Sequence, residues 1–337
     1  MAPGIFFGEI VMRTIVAVLL WVVSAFSLAG DAQVEQPVLR QRADPFAMLD
    51  ADGWYYFTAT VPEYDRIELR RTRDLNQLAS AETRVVWRQH AHGEMGAHIW
   101  APELHRIDGK WYVYFSAGKA EHPWEIAIYV LENVHANPLE GEWTELGRID
   151  TGWSGFALDA TTFALNHRRY LVWAQSPKPP ATGKGTNIYI AEMASPVRLA
   201  GPAVMLSRPE FDWEKIGHDV NEGPAVLVRH GQVFLTYSAS ATDAHYALGM
   251  LSAAADADLL DPRSWRKSAR PVFSTDEGAQ RYGPGHNSFV TTPDGKTDLL
   301  VYHARSYRDI QGDPLNDPNR DTRVKAIRWR ADGTPEF

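Results

Sequence analysis

Apolar and polar positions fall into one pattern that recurs five times. The stretches Gly53-Trp54-Tyr55-Tyr56-Phe57, Gly109-Lys110-Trp111-Tyr112-Val113-Tyr114-Phe115, Arg169-Tyr170-Leu171-Val172-Trp173, Gly231-Gln232-Val233-Phe234-Leu235-Thr236-Tyr237 and Gly295-Lys296-Thr297-Asp298-Leu299-Leu300-Val301-Tyr302 each place an aromatic or β-branched strand after a turn. The turns at Gly53, Gly109, His167, Gly231 and Gly295 recur every 56 to 64 residues. A fixed period of that length marks one repeated supersecondary unit. Four-stranded units arranged radially make a propeller, so the pattern predicts an all-β, five-bladed β-propeller.

A third strand follows in each unit: 67–70, 126–130, 187–191, 246–250 and 323–327. Their apolar-polar alternation predicts half-buried antiparallel strands. Outer strands are expected at 85–87, 143–146 and 265–267. Asp52-Gly53, Asp108-Gly109, His230-Gly231 and Asp294-Gly295 are hairpin signals. No long helix is expected. A helical turn is predicted over Ala253–Leu260, and Pro177–Gly185 reads as a loop overhanging one face.

The first strand of each unit begins with chemistry: Asp44-Pro45-Phe46, Trp100-Ala101-Pro102-Glu103, Asp159-Ala160-Thr161, Glu222-Gly223-Pro224 and His286-Asn287-Ser288. Asp44, Glu222 and His286 stand nine residues before their turns and Asp159 eight. First strands of a propeller line its axis. Matched positions therefore predict that Asp44, Asp159, Glu222 and His286 converge at one mouth of the channel. Three carboxyls sharing a desolvated depression push their pKa values apart, leaving one ionised as base and another protonated as acid. Glycosidic hydrolysis needs that pair, held about 6.5–9.5 Å apart when a water attacks between sugar and base.

Composition narrows the field. The 337 residues carry 34 Lys and Arg against 42 Asp and Glu, a formal charge of −8, which disfavours a nucleic-acid partner. With no cysteine there is no disulfide framework and no thiol nucleophile. The 12 Trp are expected mainly to fill the space between blades; an exposed ring beside polar groups would stack on sugar. His90, His92, His98, His105 and His303 show no metal-protease spacing and read as surface or satisfied core residues. No phosphate loop and no GxSxG elbow is present. Met12-Arg13, the apolar run Thr14–Leu28 and the small residues at Ala29 and Ala32 predict a cleaved secretory signal over residues 1–32. A single propeller domain is then expected over 33–337, in a secreted or periplasmic protein without stable membrane association.

The motifs Ala43-Asp44-Pro45-Phe46, Ile99-Trp100-Ala101-Pro102-Glu103-Leu104, Leu158-Asp159-Ala160-Thr161-Thr162-Phe163, Val220-Asn221-Glu222-Gly223-Pro224-Ala225 and Gly283-Pro284-Gly285-His286-Asn287-Ser288 together resemble glycoside hydrolase family 43. The resemblance implies a five-bladed propeller and an inverting hydrolase. It makes Asp44 the general base, Glu222 the general acid and Asp159 the residue that tunes the acid and orients the sugar. It places Trp100 and Arg323 at the substrate. It also places His286 at the channel, where some members hold a metal ion, expected here to be structural calcium, with no cofactor required. Asn187–Ala191, Thr236–Ser240 and Gly312–Leu315 are similar to the family's exo-acting α-1,5-L-arabinofuranosidases, which implies plant cell-wall arabinan or its oligosaccharides as substrate. Asp321 stands where that subgroup leads one to expect histidine. The alternatives are a β-xylosidase, an endo-arabinanase or an arabinoxylan-debranching enzyme of the same family, a carbohydrate-binding propeller without turnover, and an interaction scaffold.

Overall fold

The computed structural model describes Met1 and residues 34–179 and 185–337. The expected signal over 1–32 lies, Met1 aside, outside the described residues. Among the described residues from 34 onward, five antiparallel blade sheets follow in sequence order, a five-bladed β-propeller, and a two-stranded ribbon of Arg328–Trp329 with Pro335–Glu336 comes after the last. The innermost strands are Ala43–Leu49, Ala97–Ile107, Ala157–Leu165, Asn221–Arg229 and Tyr282–Thr291. Each turns into a second strand: Tyr55–Thr60, Lys110–Gly118, Arg168–Gln175, Gln232–Ala239 and Asp298–Arg305. Asp108-Gly109 and His230-Gly231 take positive φ at both residues, as a two-residue hairpin turn requires. Asn166-His167 makes the same turn without glycine, at φ 50° and 62°.

The second strands are apolar on both faces because each is sandwiched between blades. Tyr56 packs toward blade 2, beside Trp111, Val113 and Phe115, whereas Tyr55 and Phe57 pack toward blade 5, beside Val290 and Val301. Tyr112 and Tyr114 of blade 2 meet Leu171 and Trp173 of blade 3. Blades 3 and 4 close over Val172, Ile190, Val233 and Leu235, and blades 4 and 5 over Phe234, Met250, Leu300 and Tyr302. The third strands, expected to be half-buried, are buried along most of their length, for example at Ile128–Leu131. Neighbouring blades cover both of their faces as well. The helical turn expected over Ala253–Leu260 is replaced by strand Ala247–Ala254 and turns, with a short 3-10 turn following at Pro262–Ser264.

Blade 5 has three strands of its own. Its fourth position is taken by the segment that precedes blade 1. Val38 N–H donates to the Thr322 carbonyl at 2.9 Å, and Thr322 N–H donates to the Leu39 carbonyl at 2.8 Å. Glu35 anchors this closure. Its carboxylate accepts from Arg281 at 2.8 Å, from Lys325 at 2.6 Å and from Tyr302, while its carbonyl accepts from Arg323. Joining the first and last blades makes the ring a closed unit rather than a row of sheets.

Glu35→Ala leaves two cations of blade 5, Arg281 and Lys325, and the Tyr302 hydroxyl without their shared anion. The partly exposed site tempers the loss, which should be about 2–3 kcal/mol, measured as a lower denaturation midpoint with an unchanged m-value.

Candidate active site

One backbone irregularity occurs in all five innermost strands. The residues Asp44, Ala101, Asp159, Gly223 and His286 have φ of 52°, 45°, 56°, 53° and 39°. At each of these places the pairing with the second strand slips, between Ala43 and Phe46, Trp100 and Glu103, Leu158 and Thr161, Glu222 and Ala225, and Gly285 and Ser288. A bulge leaves the extra residue unpaired and re-aims its side chain. The expected register therefore needs refinement. Asp44, Asp159 and His286 share the bulge position, but blade 4 places Gly223 there and Glu222 one residue earlier, level with Trp100. A Cβ at Gly223 would meet the His286 ring at 2.9 Å, so only glycine leaves that ring its place.

The bulge frees a backbone N–H in every blade, and a side chain of the preceding blade receives it. Ala101 donates to Thr60 Oγ1 at 2.7 Å, Asp159 to Ser116 Oγ at 2.9 Å, His286 to Ser238 Oγ at 2.7 Å and Asp44 to His303 Nδ1 at 3.0 Å. Gly223 alone donates to a carboxylate, Asp159 Oδ2, at 3.0 Å.

Asp44, Asp159, Glu222, His286 and Trp100 line a single pocket of about 320 Å³. The carboxyls within it differ sharply. Asp44 accepts from Thr60 Oγ1 at 2.6 Å and lies 3.5 Å from the Arg320 guanidinium and 3.3 Å from His286 Nδ1. Burial pushes its carboxyl up, but the neighbouring positive charge outweighs burial and holds it far below the ordinary carboxylate range. Arg320 is the cation that persists at neutral pH, since burial lowers His286 and takes His303 down to about 4. Because Asp44 N–H donates to His303 Nδ1, that nitrogen is the acceptor and gives the Asp44 carboxylate no hydrogen bond.

Glu222 goes the other way. Burial raises it, a hydrogen bond from Tyr246 at 2.8 Å pulls it down, the Asp44 charge pushes it up and Arg320 pulls it down, leaving it at about 7. Asp159 is pushed well above its usual value by burial and by the charges of Glu222, Asp44 and Glu103, against the opposing bond from Gly223 N–H. Below about pH 7 the pocket thus holds an ionised carboxylate, Asp44, and a protonated one, Glu222. That is the complement for adding water across an acetal bond.

The rim is aromatic. Trp100 packs edge-on to Tyr64 at 5.8 Å, stacks on His98 at 4.4 Å and lies 5.9 Å from Trp124, which is 60% exposed. Trp124 and Phe156 also border a second cleft, of about 440 Å³, running outward between blades 2 and 3. Of the expected wall at Pro177–Gly185, residues 180–184 lie outside the described residues.

The arginine at the pocket is not the one expected there. Arg323 does not line the pocket; it donates to Ser306 Oγ at 2.8 Å and to the Glu35 carbonyl, within the ring closure. Arg320 lines the pocket instead, buried beside Asp44 and donating to Tyr64 OH at 3.2 Å. The two lie on opposite faces of the chain as it enters strand Asp321–Ala326, and sequence alone does not say which face meets the axis. Asp321 is likewise occupied elsewhere, accepting from Gln41 N–H at 2.8 Å. His303, expected to be surface or satisfied core, supports Asp44 and stacks on Tyr246 at 5.7 Å. Tyr246 and Trp124 carried no sequence signal beyond being aromatic.

The calcium expected at His286 does not find a donor set here. Among the described residues no group of three or more His, Asp or Glu side chains could hold a metal ion, and the ring's nearest charged neighbours are Asp44 and Asp159, the former already paired with Arg320.

The family model for glycosyl hydrolases family 43 matches residues 34–335. An extracellular exo-α-(1→5)-L-arabinofuranosidase of Streptomyces avermitilis is 58% identical over 301 residues, 89% of this chain and 62% of that protein. An enzyme of the same name from Streptomyces chartreusis is 56% identical over 84% of this chain and 86% of its own length. The chain thus spans under two thirds of the first of these relatives. The crystal structure of an α-L-arabinofuranosidase from Lactobacillus brevis superimposes with a TM-score of 0.86 at 52% identity, covering 90% of this chain and 96% of that one. With the match running through all five blades and their pocket, the chain belongs to glycosyl hydrolases family 43.

Proposed function

We propose that this chain is an inverting exo-α-L-arabinofuranosidase that releases arabinose from the ends of α-1,5-linked arabinan or arabino-oligosaccharides. One observation carries the reading: two carboxyls lining a single pocket, the buried Asp44 and the half-buried Glu222, are driven far apart in proton affinity by their surroundings. Asp44 takes a proton from a water as its oxygen attacks the anomeric carbon. Glu222 gives its proton to the departing glycosidic oxygen, so the bond breaks without expelling an alkoxide. Direct attack by water inverts the centre. Asp159, bonded through its carboxyl to the amide that follows Glu222, orients the sugar and titrates in linkage with the acid, while Trp100 forms an apolar wall for the ring.

A pocket of about 320 Å³ suits one terminal furanose, which favours exo action. The remaining chain has an exit over Trp124 into the cleft between blades 2 and 3. The names of the similar proteins support arabinan as the substrate class and an extracellular location. Secretion is further supported by the signal-like residues 1–32, and no helix among the described residues is long and apolar enough to cross a membrane.

Glu222→Gln and Asp44→Asn should each lower arabinose release by about 10²–10⁴-fold, and NMR of the fresh product should show the inverted anomer; near-wild-type turnover by either variant, or retention, refutes the assignment. Since Glu222 must stay protonated and titrates at about 7, kcat/KM should fall as pH rises through that value, while its acid limb lies far below the ordinary carboxylate range. Tyr246→Phe removes a bond that favours the ionised acid, so the basic limb should move to higher pH. Trp124→Ala should spare hydrolysis of an aryl arabinofuranoside and raise KM for arabinotriose and longer chains, checked by kinetics against chain length.

A further inference from the structure

The five amide caps follow a rule with one exception. Each cap sits on a second strand, opposite the residue just before the bulge of its own blade: Thr60 opposite Ala43, Ser116 opposite Trp100, Ser238 opposite Glu222 and His303 opposite Gly285. Each serves the bulge of the next blade, around the ring and across its closure. In blade 3 the same position, opposite Leu158, is Ala174, fully buried and without an acceptor. The amide it leaves unserved is that of Gly223, the one that takes the Asp159 carboxylate.

We infer that Ala174 is a positioning residue through what it lacks: by withholding the cap that every other blade supplies, it leaves the Gly223 N–H to hold the carboxylate of Asp159 in place between Asp44 and Glu222. A buried amide must find an acceptor, because leaving it unpaired is costly. With a hydroxyl at 174 that acceptor would be the serine oxygen, as at Ser116 and Ser238. With alanine, the acceptor among the described residues is Asp159 Oδ2. The bond is also the single hydrogen bond this carboxyl receives among the described residues; the charges of Glu222, Asp44 and Glu103 act on it, and the His286 ring lies at 3.8 Å. Without the amide, Asp159 would be free to turn away from its acidic companions. The absent side chain and the glycine after Glu222 form one device: glycine lets the amide approach, and alanine leaves it unoccupied.

The inference rests on the proposed role of Asp159 for its kinetic consequence, though not for its structural one. Ala174→Ser should divert the Gly223 amide and lower kcat on an aryl α-L-arabinofuranoside by about tenfold, the scale of a misplaced catalytic group. Ala174→Cys, at least as bulky as serine but offering only a weak acceptor sulfur, should retain more turnover than Ala174→Ser. Equal losses in the two variants would assign the effect to volume and overturn the inference, as would wild-type turnover in Ala174→Ser. The hydrogen bond is read directly in full-length protein labelled with ¹⁵N-glycine. The Gly223 amide proton should resonate far downfield in the wild type and move upfield in both Ala174→Ser and Asp159→Asn. A Gly223 resonance indifferent to Asp159→Asn overturns the inference even if Ala174→Ser does not fold or the enzyme acts on another sugar.

Discussion

A strand that enters the axis of a propeller must expose some of its groups to the central cavity while pairing the rest with its neighbour. Here every innermost strand resolves that conflict with a left-handed residue, at Asp44, Ala101, Asp159, Gly223 or His286. The bulge interrupts the ladder for one residue and frees one N–H. A side chain of the preceding blade caps it, so blades interlock at the site as well as through their apolar faces. The pocket is rigid for the same reason that it exists. The backbone conformations that aim Asp44, Asp159 and His286 inward are held by hydrogen bonds that cross between blades, and an isolated hairpin would have no means of making them.

Electrostatics then divides roles among similar groups. Asp44 and Glu222 line the same pocket, and loss of hydration alone would raise both. What separates them is a buried Arg320 close to Asp44, together with a Thr60 hydroxyl and a ring of blade 5 that hold the residue in register. Glu222 is given a tyrosine hydroxyl, a weaker stabiliser of negative charge, and feels the ionised Asp44 as repulsion. The ring closure matters to these charges too: Arg320 lies beside the strand that pairs with residues 38 and 39, so the same segment that locks blade 5 to blade 1 fixes the cation beside Asp44.

Much of this was legible in the chain. The period of the turns and the bilateral hydrophobicity of the second strands specify five sheets packed face to face, because only a strand covered on both sides can be aromatic and aliphatic at consecutive positions, as in Trp111–Phe115. The start of each first strand displays its polar residue in a recognisable local motif, so Asp44, Asp159, Glu222 and His286 are readable as candidates. The one-residue offset of Glu222 was not, since a bulge changes which residue faces the axis without changing the spacing to the turn by more than the loops already vary.

The sequence by itself determined the number of blades, the family and the acids at the channel mouth, because those depend on periodicity and on local motifs carried by short segments. Tertiary structure decided which arginine meets Asp44, which histidine supports it, and why Asp159 is held by an amide of the next blade. Those depend on contacts between residues up to 276 positions apart, such as Arg320 with Asp44, and on a side chain that Ala174 does not have. A missing acceptor leaves no mark in a single chain of letters until the fold places its four counterparts beside it.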